Sequence, residues 1–169
     1  MILTIVKYPE PVLSKPGEPV TEFDGALRKL VADMFETMYA AQGVGLAAPQ
    51  VGVSKRVTVI DLSAGKEPKD KLVLVNPEII FRDGKLYEEE GCLSFPDIRE
   101  KVQRAAKVRI RAQDEYGKWF ERDGEELLAR CFQHEIDHLD GMLFIFRMSA
   151  LKRDLVQRKI RKLIRAGEW

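Results

Sequence analysis

The chain has only two histidines, and both lie in one short stretch, CFQHEIDHLDG, residues 131–141, with a glutamate directly after the first. On a helix, residues four apart differ by about 40° around the axis and ~6 Å along it, so His134 and His138 aim their imidazoles at one point. That geometry fits a metal ion, and Glu135 stands where H-E-x-x-H helices carry the general base that works on an activated water. Two imidazoles do not complete such a site, because a catalytic metal ordinarily takes three protein ligands and keeps one position open. Cys131 lies on the same helical face, but its seven-residue separation from His138 is ~10.5 Å of helix rise, too far for a cysteine side chain. The third ligand must therefore come from another part of the chain, and this most constrains the fold. Cys92, in EEEGCLSFP, is the obvious supplier, since Gly91 before it allows a close backbone approach. The competing reading is that Cys92 is a buried free thiol.

Around that helix the pattern of apolar residues predicts a mixed fold. Leu27, Leu30, Val31, Met34, Phe35, Met38 and Tyr39 recur at three- and four-residue spacing, the stripe of an amphipathic helix, with Thr21 or Asp24 available as its cap and Gly43 and Gly45 beyond its end. RVTVIDL and KLVLVNPEII are rich in β-branched residues and read as strands on either side of the loop SAGKEPKD. KVRIRAQDEYGKWFERDG reads as a hairpin turning near Gly117. Asp123 followed by Glu126 is a capping pair for the histidine helix, which Gly141 stops. After it, Met148, Leu151, Leu155, Ile160 and Leu163 form one stripe of a last helix, with Lys152, Arg153, Arg158, Lys159, Arg161, Lys162 and Arg165 around the remainder. That helix reads either as a solvated element lying on the body or as a docking element for something acidic.

A chain of 169 residues is long enough for one domain spanning 1–169 with a core that needs no disulfides. A net charge of +1 argues against wholesale nucleic-acid binding. No run approaches a membrane span, and MILTIVKYPEPVL lacks the features of a signal peptide, so a cytoplasmic chain is the expectation. Two cysteines are too few for a disulfide framework and suit a reducing compartment.

A third motif, GVGLAAPQ at residues 43–50, has small residues that leave room for a ligand against bare backbone, and Gln50 carries an amide able to donate to a developing oxyanion. Together GVGLAAPQ, EGCLS and QHEIDHLDG, in this order and spacing, resemble the peptide deformylases, and the resemblance extends over nearly the whole chain. It implies an α+β fold of antiparallel β-sheets around a central helix bearing the H-E-x-x-H motif, with an N-terminal helix and a C-terminal amphipathic helix. The implied activity is removal of the N-formyl group from the N-terminal methionine of newly synthesised polypeptides, with release of formate.

By the family pattern Cys92, His134 and His138 hold one divalent metal ion, Glu135 handles protons, and Gln50 with the Leu93 backbone N–H stabilises the oxyanion. Glu90 and Arg104 look like a buried pair bracing the Cys92 loop. The resemblance implies Fe(2+) as the native ion, with Ni(2+) or Co(2+) as active stand-ins and Zn(2+) able to occupy the site. Substrate would pair with the extended Val44, Gly45 and Leu46 segment as an added strand, with Arg99 at the rim of an apolar pocket for methionine. The implied partners are N-formylmethionyl nascent peptides and, through the basic last helix, the ribosome. A monomer is favoured, and the source is a bacterium or an organelle.

Two other readings compete. A zinc peptidase shares H-E-x-x-H but would draw its third ligand from a carboxylate such as Glu88, Glu89 or Glu90. A binding module using the basic last helix on ribosomal RNA would need neither the ligand set nor Glu135.

Overall fold

The computed structural model describes residues 1–169. Helix α1, Gly25–Ala40, starts at Asp24, whose carboxylate accepts from the Leu27 amide at 3.0 Å. Asp24, and not Thr21, is therefore the cap, a contact of roughly 1 kcal/mol. The strands β1 (Gly45–Ala47), β2 (Val57–Ile60), β3 (Leu72–Asp83), β6 (Lys107–Gln113) and β7 (Trp119–Glu125) form one sheet in the order β1-β2-β3-β6-β7, all pairs antiparallel. The remaining two, β4 (Leu86–Cys92) and β5 (Phe95–Arg104), make a separate hairpin. Helix α2, Glu126–Leu139, lies against the five-stranded sheet, and α3, Ala150–Arg165, follows it. The α+β architecture expected from the sequence is what the chain adopts. No helix is long and apolar enough to cross a membrane.

Three apolar clusters hold these elements together. The first packs Leu27, Val31, Met34 and Met38 of α1 onto Leu46, Val57, Val59 and Val75 of the sheet. The second packs Ala129, Phe132 and Ile136 of α2 onto Ile60, Leu74, Val108 and Ile110. The third joins Phe95, Ile98 and Val102 of the hairpin to Phe144, Ile145, Val156 and Ile160. Helix α2 is thus held with one apolar face on the sheet, and the hairpin closes over another side. Each fully buried aliphatic or aromatic side chain contributes about 1.5–3 kcal/mol of burial.

Two expectations need correction. Asp123 does not cap α2: it lies in β7, where Arg109 donates to its carboxylate at 2.7 Å, and the residue preceding the helix is Glu125, whose side chain makes no cap. The stripe expected for α3 holds at Met148 and Ile160 but fails at Leu151 and Leu155. Val156 and Ile160 are its buried residues, whereas Leu151 and Leu155 are 70% and 55% exposed. The helix meets the third cluster along a line through positions 156 and 160, one turn apart, which rotates 151 and 155 to solvent. Gly141 does stop α2. It sits at φ 76°, and a Cβ there would lie 2.9 Å from the Ser14 carbonyl oxygen.

Candidate active site

Helix α2 buries polar residues where an ordinary amphipathic helix would bury only apolar ones: Gln133, His134, Glu135 and His138 are all 9% exposed or less. Each must find a partner, or the burial costs roughly 1–3 kcal/mol. Gln133 bonds both the amide and the carbonyl of Ala105 at 2.9 Å, tying the helix to the turn between β5 and β6. His134 Nδ1 lies 2.9 Å from Glu90 Oε1. Two atoms have no protein partner, His138 Nδ1 and Glu135 Oε1.

The β4–β5 hairpin brings in the remaining groups. Glu90 accepts from Arg104 Nε at 2.9 Å and Nη2 at 3.0 Å, a two-pronged pair with both side chains 6% exposed or less. Burial alone would raise the Glu90 pKa, but its hydrogen bonds from His134 and Arg104 outweigh that and pull it down to about 2. Glu90 is therefore a carboxylate, able only to accept, so the His134 Nδ1 must carry the proton it shares. The Nε2 of His134 is left as that ring's free donor atom.

One residue beyond Gly91 the register of the hairpin shifts, and Cys92 turns toward α2. Its Sγ is 3.4 Å from His138 Nε2. The ligand atoms of Cys92, His134 and His138 all lie within 4.8 Å of one another, and the cysteines are free thiols. Cys131, the other sulfur, is buried and its thiol is pushed up to about 12, mainly by burial, so it stays protonated.

The set fits a cation on its own electrostatics. Burial disfavours a charged His134, yet its contacts with Cys92 and Glu90 prevail and hold its pKa up at about 10. Burial together with the charge of His134 drives His138 well below 6.5. The ligand atoms thus lie where positive charge is favoured, and a soft sulfur with two nitrogen donors suits zinc, iron, cobalt or nickel.

Gln50, in the short turn Ala48–Val51, holds its place by accepting from the Ala47 amide at 3.0 Å, while its Nε2 donates to Ser94 Oγ at 3.1 Å and reaches to 3.6 Å from Cys92 Sγ. Ser94 is fully buried and went unnoticed in the sequence, although it directly follows Cys92 and Leu93. Glu135 is pushed up to about 7, chiefly by burial. It lies against Gly45, where a Cβ would meet its Oε2 at 2.7 Å, so only glycine leaves the carboxyl its present position.

Part of this set lines a cleft of ≈ 720 Å³ that includes Val44, Gly45, Gln50, Cys92, Leu93, Arg99, His134 and Glu135. Of the residues singled out in the sequence, Leu46 is not among its walls: its side chain is fully buried in the first cluster. His138 lies behind the cleft, 1% exposed. Arg99 is at the rim, its exposed guanidinium paired with Glu89 at 2.9 Å. Strand β1 is at the edge of its sheet, so its outer side is free of strand neighbours.

A buried carboxyl with an unpartnered oxygen, beside three side chains able to hold a cation, is equipped to take a proton from water; fold and cleft together define a metal-dependent hydrolase. Comparison narrows the class. The sequence model of the family described as polypeptide deformylase matches residues 2–154. A peptide deformylase of Acidobacterium capsulatum is 72% identical over 169 residues, covering 100% of this chain and 99% of the relative. The crystal structure of a peptide deformylase from Legionella pneumophila superposes with a TM-score of 0.92 at 50% identity, over 99% of this chain and 98% of that one. One from Synechococcus elongatus, in complex with actinonin, gives 0.88 at 40% identity, over 93% and 86%. The chain belongs to the peptide deformylase family. It is an enzyme that removes the N-formyl group from nascent polypeptides, and the family is metal-dependent.

Proposed function

We propose that Cys92, His134 and His138 hold the metal ion, that Glu135 moves the proton, and that Gln50 and the Leu93 backbone N–H receive the oxyanion, within one catalytic domain spanning 1–169. The observation that carries this reading is the approach of the three ligand atoms to within 4.8 Å beside the unpartnered Glu135 Oε1. A bound divalent ion would supply Lewis acidity, polarising the formyl carbonyl and acidifying water. Glu135 takes the proton of the attacking water as its oxygen bonds to the formyl carbon. Negative charge then builds on the formyl oxygen, where the Leu93 N–H donates together with a Gln50 amide proton that leaves its contact with Cys92 Sγ. Glu135 returns the proton to the nitrogen as the C–N bond breaks, leaving formate and a free amino terminus. Its burial keeps the protonated form accessible near neutrality, which suits both halves of that transfer.

The substrate is an N-formylmethionyl nascent peptide. Its backbone pairs with Val44, Gly45 and Leu46 at the open edge of β1, the last through main-chain groups alone, with Arg99 at the rim. The metal is Fe(2+), with Ni(2+) or Co(2+) active in its place. The enzyme is a cytoplasmic monomer whose α3 docks on the ribosome through the exposed Arg158, Lys159, Arg161, Lys162 and Arg165.

The deciding experiment is anaerobic purification and elemental analysis with a formate-release assay on formyl-methionyl peptide, run in parallel on Cys92→Ser. One equivalent of iron and formate release in the parent, with the metal weakened or lost in the variant, are the expected results. Full metal occupancy with an unaltered absorption spectrum in Cys92→Ser removes Cys92 from the ligand set. Charge reversal at Lys159 and Lys162 should lower ribosome co-sedimentation; no change disposes of the docking role.

A further inference from the structure

The Glu90–Arg104 pair does not end at Arg104. Arg104 Nη1 donates to Asp137 Oδ2 at 2.7 Å, and Asp137 stands on α2 three residues after His134. The contacts therefore close a ring: His134 to Glu90, Glu90 to Arg104, Arg104 to Asp137, and Asp137 back to His134 through less than one turn of helix. From that ring a further contact leads outward. Arg147, in the turn Phe144–Arg147, donates to Asp137 from Nε at 3.1 Å and from Nη2 at 3.0 Å. Side-chain exposure falls along the chain from 44% at Arg147 to 13% at Asp137 and 3% at Arg104. Arg104, Asp137 and Arg147 all line a second cleft, of ≈ 490 Å³.

We propose that Asp137 and Arg147 are positioning residues that set the orientation and donor strength of His134 through Arg104 and Glu90. The inference rests on the reading of His134 as a metal ligand. Arg104 is one cation shared by two carboxylates, Glu90 and Asp137. Arg147 grips Asp137 with two hydrogen bonds and so fixes the carboxylate on which Arg104 Nη1 rests, which keeps Arg104 square on Glu90. Arg130 gives Glu90 a second, weaker cation, its Nε at 3.9 Å from Oε2. Loss of Arg147 leaves Asp137 less firmly placed under Arg104, so the guanidinium shifts on Glu90 and with it the carboxylate that orients the His134 ring. Such outer partners of a ligating imidazole fix its ring orientation and basicity. A neutral residue at 137 breaks the ring on the α2 side and frees Arg104 to rotate.

The test is release of cobalt(II) from the cobalt-loaded protein into excess EDTA, followed by the cobalt absorption, for the parent, Asp137→Asn, Arg147→Ala, Arg147→Lys and the Asp137→Asn/Arg147→Ala double variant. Release should be faster by ~10-fold or more in Asp137→Asn. A smaller increase is expected in Arg147→Ala, part of it recovered in Arg147→Lys. The double variant should release no faster than Asp137→Asn alone, since Arg147 acts only through Asp137. Should Asp137→Asn fail to fold, the exposed Arg147 pair carries the test. A parent that retains cobalt while folded variants release it at the parental rate overturns the relay alone, as do additive effects in the double variant. A parent that binds no cobalt sinks the relay together with the ligand assignment.

Discussion

Helices α2 and α3 are close in length and both carry an amphipathic pattern, yet they use it in opposite ways. Of the 14 residues of α2, nine are buried, and four of those are Gln133, His134, Glu135 and His138; α3 has 16 residues and buries only Val156 and Ile160. The polar face of α2 is turned inward and partnered by Ala105, Glu90 and Cys92 except at Glu135 Oε1 and His138 Nδ1, whereas the charged face of α3 stays in water. Amphipathicity alone therefore does not say which face of a helix performs the chemistry. A helix in the middle of the molecule can bury a polar face wherever a second element supplies partners for it, and such a face is costly enough to be retained only with those partners.

The strongest way to break this contrast is to alter the inward face of α2. Glu135→Gln should lower formate release by about 100-fold or more while the metal content, by elemental analysis, stays near one equivalent. Near-normal turnover with metal bound would remove Glu135 from the mechanism. Gly45→Ala presses a methyl onto the Glu135 carboxyl without touching α2 itself. It should cost at least ~10-fold in kcat, since ångström-scale displacement of a reacting group has effects up to about a hundredfold. An unchanged kcat would show that the carboxyl has room to spare.

For α3 the prediction concerns stability and separates its two faces. Ile160→Ala should lower the unfolding free energy by ~2–5 kcal/mol in denaturant melts, and Leu155→Ala by no more than about 0.5 kcal/mol. Equal losses would return the buried stripe to the line through Leu155. The smallest effect is one of pH. The Lys152 pKa is raised, first by its hydrogen bond with the Tyr87 hydroxyl and also by the charge of Glu100, against a smaller effect of burial. A raised folded-state value means that the folded form holds the proton more tightly, so this contribution is complete below pH 10.5 and fades as pH rises through the folded value. The melting-temperature gap between parent and Lys152→Met should hold constant up to about pH 10 and narrow above the unperturbed lysine value; a gap independent of pH would contradict it.

How much of this could be read in the sequence depended on how local the signal was. The periodicity of α1, the β-branched runs of β2 and β3, the turn at Gly117 and the four-residue spacing of the histidines are all set by neighbours within one element, and each element formed where expected. The β4–β5 hairpin left no comparable trace. LYEEEGC is a run of charges without a clear alternation, and only Glu90 of its three glutamates is buried, a choice made by pairing with β5. The capping pair Asp123 and Glu126 matched a real pattern, but Arg109 across the β6–β7 hairpin took Asp123 for the sheet. Ser94 and Asp137 lie beside or inside recognised motifs, and nothing local distinguishes them from spacers.

The residues alone determined which groups could act: two imidazoles on one helical face, a carboxyl between them, a sulfur elsewhere, and glycines where backbone must come close. These are properties of side-chain chemistry and helical period, which hold wherever a helix forms. Tertiary structure decided whether the Cys92 sulfur met the imidazoles, which glutamate steadied them and which face of each helix went inward. Those outcomes depend on contacts between segments tens of residues apart, whose energies exist only once the sheet, the hairpin and α2 have closed on one another.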